Sequence, residues 1–173
     1  MLETNSLNNF QPKLDPLQTI TTDQMKTKAA LLDRLQAAVA KVTPRVWDLK
    51  EAKEIAQSVV KTAKANGSDG KRLAEQGETV IKGIDALLAT ILEPEDVQGI
   101  YNDDNLLTAI LGKTRYGMGD LFSPPSPTQE ILLSDCEKAV NEAMEKINHF
   151  FLRDWADLKK ESDGSGMSWV KWF

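Results

Sequence analysis

The stretch TTDQMKTKAALLDRLQAAVAKVTPRVWDLKEAKEIAQSVVKTAKANG, residues 21–67, decides the fold. Its apolar residues keep a seven-residue beat. Met25, Leu32, Val39 and Val46 fall on one heptad position, and Leu35, Val42, Leu49, Ala56 and Ala63 on the other. Alternating steps of three and four place them on one seam of an α-helix. Thr21 can cap that helix, and Gln24, three residues on, completes a capping box. Asn66-Gly67 stops it. Lys28 and Lys53 interrupt the seam, and Pro44 lies inside the run. A proline in a helix interior removes a backbone donor and costs ~3 kcal/mol. The heptad phase nevertheless carries from Val42 to Val46 and Leu49, so one long kinked helix is expected rather than two. Such a helix is roughly 65 Å long, whereas a compact ball of this size has a radius of gyration of ~16 Å. The molecule should be a rod.

Ser68-Asp69-Gly70 opens a second helix with the stripe Leu73, Val80, Ile84, Leu87 and Ile91. Gly77 takes one seam position, which allows close backbone approach at some cost in helix propensity. Pro94 ends this helix, and Val97, Ile100 and Tyr101 can anchor the acidic loop that follows. A short third helix, about Asp104 to Tyr116, carries Leu106, Leu107, Ile110 and Leu111. Ser126-Pro127-Thr128-Gln129 starts a fourth: Ser caps, Pro takes the first position and Gln closes the box. Its seam is Leu132, Cys136, Ala139, Ala143, Ile147 and Phe150, running to about Lys160. One apolar stripe per long helix predicts an all-α, elongated, antiparallel three- to four-helix bundle over residues 21–160. Residues 1–20 read as an irregular segment, and 161–173 as a flexible linker with an aromatic tail. In that tail, Trp169, Trp172 and Phe173 are costly to leave in water. They either fold back into a groove of the bundle or serve as a hook for a partner or a membrane surface.

Composition narrows the chemistry. The chain has 173 residues, about one domain, and a net charge of −5. That acidity gives no basic footprint for nucleic acid. One cysteine excludes an internal disulfide, and one histidine excludes a multi-histidine metal site. No apolar run approaches the ~20 residues of a membrane span. The first 20 residues lack a signal-peptide pattern, so the chain as written would be cytoplasmic; as a segment of an exported protein it would be periplasmic or extracellular.

Site motifs fare no better. A di-metal carboxylate bundle needs Glu-x-x-His twice, but Asn148 follows Glu145 at that spacing and His149 is one place too far. Gly67-Ser68-Asp69-Gly70-Lys71-Arg72 lacks the phosphate-loop spacing and has no preceding strand. Glu93, Glu95, Asp96, Asp103 and Asp104 do not match a calcium loop and read as a solvated rim. Asn66-Gly67-Ser68 fits a glycosylation acceptor but is also plain turn chemistry. Cys136 on an apolar stripe reads as a buried structural thiol. No catalytic, cofactor or metal residues are expected.

The succession of features is more specific than any one of them. Asp15-Pro16 precedes the capped helix bearing Leu31-Leu32-Asp33-Arg34-Leu35. Thr90-Ile91-Leu92-Glu93-Pro94 and Val97-Gln98-Gly99-Ile100-Tyr101 follow, then the Leu-rich helix, Ser126-Pro127-Thr128-Gln129 and Asn148-His149-Phe150-Phe151. This order, over about Asp15 to Lys160, resembles the C-terminal helical region of bacterial sortilin-like proteins. These carry BNR (Asp-box) β-propeller repeats and are often labelled glycosyl hydrolases. The resemblance implies an accessory bundle packing on an adjacent β-propeller or another protein partner. The propeller itself is absent from the sequence, and no family catalytic residue maps onto the matching positions. A self-associating coiled-coil scaffold, which would make a homo-oligomer, is the alternative drawn from the heptads.

Overall fold

The computed structural model describes residues 20–94, 103–120 and 122–165. Among them every regular element is helical. They are α1 (Thr22–Ala65), a 3₁₀ turn (Gly67–Gly70), α2 (Lys71–Ala89), α3 (Leu107–Met118) and α4 (Pro127–Phe150). A π-helical turn, Phe151–Trp155, continues α4 into α5 (Ala156–Gly164). The expected all-α bundle is what forms.

The start of α1 is the expected capping box. The Thr21 amide donates to Gln24 Oε1 at 2.9 Å, and the Gln24 amide donates to Thr21 Oγ1 at 3.2 Å. The helix runs through Pro44 unbroken for 44 residues, which is about 66 Å. At its far end the Asn66 amide bonds back to the carbonyls of Thr62 and Ala63, and Gly67 turns the chain at φ +63°. Asn66-Gly67 is thus a turn.

Four ion pairs and one hydrogen bond give the directions. Lys53 meets Asp85, and Lys64 meets Glu78, both at 2.7 Å, so α2 descends as α1 ascends. Lys28 meets Ser123, and Arg34 meets Glu130 and Glu137, so α4 ascends beside α1. The amides of Leu107 and Thr108 donate to the carbonyls of Thr90 and Ile91, so α3 begins where α2 stops. Its last turn meets the first turns of α4, where Gln129 reaches the carbonyls of Gly117 and Met118. Together α2 and α3 form a broken descending arm between two ascending rods. Three-helix and four-helix readings of the sequence describe one up–down–up arrangement.

The α1 seam differs from the expected one. Leu35, Val42, Leu49, Ala56 and Ala63 are buried as the heptads require. Their companions, however, are Leu31, Ala38, Ala52 and Val59. Val39 is 41% exposed, and Leu32 and Val46 lie half-buried at the margin. The buried line holds alanines because small side chains admit the neighbouring helices. Reading by side-chain size picks the larger residues beside them. The same displacement occurs on α4, where Leu133 and Val140 are buried and Leu132, Ala139 and Ala143 flank them.

Close approach is enforced at two glycines. A Cβ on Gly77 would lie 2.5 Å from Val60 Cγ2, and one on Gly70 would lie 1.8 Å from the Ala63 carbonyl oxygen. These contacts clamp α2 to the end of α1.

The expected linker beginning at Glu161 is helical as far as Gly164. Its composition is polar, but Leu158 and Ser162 extend the buried stripe, and Glu161 pairs with Arg72 of α2 at 3.1 Å. From Phe150 to Trp155 the buried residues step by five rather than three or four. The π turn takes up the surplus residue and keeps the stripe facing inward on both sides. Residues 1–19, the Val97–Tyr101 anchors and the aromatic tail fall outside the described residues.

Candidate interaction surface

The residues tested for chemistry are separated by the fold. Glu145 and His149 are both exposed on α4, and His149 Nε2 lies 3.3 Å from Arg153 rather than facing a second carboxylate pair. Gly67–Gly70 is a 3₁₀ turn that leads into α2, where Lys71 and Arg72 face Glu75 and Glu161. Asp103 accepts from the Asn105 amide, and Asp104 pairs with Lys113. Cys136 is fully buried, and burial pushes its thiol up from the ordinary range. Among the described residues, no cluster of three or more His, Cys, Asp or Glu side chains could hold a metal ion.

Charged residues instead join helices. Arg34 Nε and Nη2 meet Glu137 at 3.0 and 2.8 Å, and Nη1 meets Glu130 at 2.6 Å. Hydrogen bonds from Arg34 hold the Glu137 carboxyl below the usual range, and both carboxylates push the guanidinium still higher. Lys28 is fully buried and donates to Ser123 Oγ at 3.3 Å. Gln129 caps two helices at once. Its Nε2 donates to the carbonyls of Gly117 (3.1 Å) and Met118 (2.9 Å), while its Oε1 accepts from the Ser126 amide (3.2 Å).

What stands out on the surface is apolar. Trp47 is 68% exposed near the middle of α1. Ala40, Pro44 and Trp47, at steps of four and three, share the face opposite the core, and Gln36, Val39 and Thr43 adjoin them. All six are exposed and uncharged. Pro44 has no N–H to offer the Ala40 carbonyl, so this strip also presents a backbone acceptor that the helix does not use. A second set, Tyr116 (90% exposed), Phe122 and Ile131, lies near the α3–α4 turn. Sequence reasoning passed over Trp47. The signal was a tryptophan off the seam, with uncharged residues on the N-terminal side of its own face.

No helix among the described residues is long and apolar enough to cross a membrane. No known protein family, curated protein or solved structure matches the chain.

Proposed function

We propose that this bundle is a non-catalytic accessory and interaction domain that packs against an adjacent β-propeller of the sortilin-like kind. The observation that carries the reading is the exposed uncharged strip of α1 that runs from Gln36 to Trp47. A rigid helix face with few charges and one large aromatic is how a protein-binding surface is commonly built. The resemblance in the order of helical motifs supplies the kind of partner. The motif residues serve the scaffold: Arg34 joins α1 to α4, Thr90 and Ile91 receive α3, and Gln129 links α3 to α4. A coiled-coil scaffold would use the seam of Leu35, Val42 and Leu49, which is occupied within the chain.

The test is titration of the labelled chain with a purified Asp-box propeller from a sortilin-like protein, followed by fluorescence anisotropy. Binding weakened about tenfold or more by Trp47→Ser, as for an aromatic hot spot, is the expected result. No binding, or equal binding by the variant, overturns the proposal.

A further inference from the structure

We infer that the partner meets the strip of α1 with an arginine side chain, which donates to the Ala40 carbonyl and stacks on the Trp47 indole. This rests on the accessory-domain reading and adds the chemistry that its surface selects. Pro44 is a costly residue for the interior of a 44-residue helix. Its ring is exposed, so it packs nothing in the core. What it changes is the surface. With no N–H at position 44, the Ala40 carbonyl has no i+4 donor. The hydroxyl beside it is already engaged, since Thr43 Oγ1 donates to the Val39 carbonyl at 3.0 Å. Water serves an exposed carbonyl well. A partner that covers the strip displaces that water and must bring a donor of its own, because a buried acceptor left without one costs as much as a lost hydrogen bond. A purely apolar contact is therefore disfavoured here, although the neighbouring Val39, Ala40 and Trp47 are apolar.

The indole and the charges decide which donor fits. Side chains on a helix lean toward its N-terminus, so a residue at position 47 covers the turn that holds Thr43 and Pro44. Acceptor and aromatic ring are thus neighbours on one face. A guanidinium serves both at once: it donates in its own plane and lays a face on an aromatic ring. An ammonium is a more strongly hydrated point charge and does not stack. The net charge of the face agrees. Asp33, seven residues before Ala40, and Glu51, four after Trp47, share the face and are exposed. Arg45 is paired with Asp48 at 3.0 Å. Lys41 lines a depression beside Arg34 and Glu137 on the α4 side, and Lys50 and Glu54 line one beside Asp85 on the α2 side. The strip itself is therefore bounded by an acid at each end, which favours a cation between them.

The experiment titrates the full chain, Pro44→Ala and Trp47→Ser with the purified Asp-box propeller. Pro44→Ala gives the Ala40 carbonyl its helical donor, so the variant keeps the fold and its thermal midpoint rises. Binding weakened about tenfold by this stabilising change is the expected result, the size of one hydrogen bond to a charged donor. Equal binding by Pro44→Ala, with Trp47→Ser still weakened, overturns the inference and leaves the accessory-domain reading standing. No binding by the parent, or no loss in Trp47→Ser, overturns both. A second titration needs no propeller. It follows the Trp47 indole resonance of the full chain, assigned by its absence in Trp47→Phe, with N-acetyl-arginine amide and N-acetyl-lysine amide as probes at matched ionic strength. A larger shift with arginine, reduced in Pro44→Ala, is expected. Equal shifts with the two probes, or a shift that Pro44→Ala leaves unchanged, overturn the inference.

Discussion

Lys28 occupies a seam position that a heptad gives to an apolar side chain, and it is fully buried with a serine hydroxyl as its hydrogen-bond partner. Burying an ammonium group is expensive unless it is well paired, and an apolar residue of similar volume often does better. Lys28→Met is therefore expected to stabilise the bundle by about 1 kcal/mol, read as a higher urea midpoint at unchanged m-value. Gln129 is the opposite case, since its three hydrogen bonds fix the α3–α4 turn. Gln129→Ala leaves the carbonyl of Met118 and its neighbours without that donor, and a loss of about 2–3 kcal/mol is expected. Gln129→Glu should be worse near neutral pH, because a carboxylate cannot donate to those carbonyls, and should recover partly once protonated. Thermal melts at pH 7 and pH 4 check the reversal.

At the scale of elements, the join between α1 and α4 is partly electrostatic. Glu137 carries a carboxyl held below its ordinary value of 4.5 by hydrogen bonds from Arg34. A depressed carboxyl contributes stability above the unfolded-state value and loses it as pH falls through the folded-state value. The acid limb of unfolding below pH 4.5 should therefore be shallower in Glu137→Gln. Both side chains are about a third or more exposed, so solvent screening limits the effect at neutral pH to about 1 kcal/mol or less. The join between α1 and α2 is steric. Gly77→Ala gains helix propensity but drives a methyl into Val60. Net destabilisation of about 1–2 kcal/mol is expected, seen in chemical denaturation.

These elements also mark what the sequence could tell. Caps were legible because a capping box is local: Thr21 with Gln24, and Ser126 with Gln129. Helix number and order followed from the stripes. The exact buried line of α1 was not legible, because Ala38 and Ala52 face inward only where a second helix comes close. The π turn and the extension to Gly164 were hidden for a related reason. Both depend on α5 packing against α2, where Leu158 and Ser162 are buried, and local composition at the end of α5 is that of a linker. Of the candidate surface, the tail aromatics were conspicuous in the sequence, whereas Trp47 needed the fold to tell an outward position from an inward one.

The described residues form an up–down–up bundle whose longest helix has 44 residues. That helix buries its seam against α2, α3 and α4, and among the described elements none covers the face bearing Trp47. Among the described residues, the buried α1 seam is already packed within one chain. An accessory bundle and a self-assembling scaffold therefore differ most simply in mass. Light scattering coupled to size exclusion, over a hundredfold range of concentration, is the direct measurement. The account predicts a constant 19.2 kDa species that elutes ahead of a compact protein of that mass. A concentration-dependent dimer would contradict it.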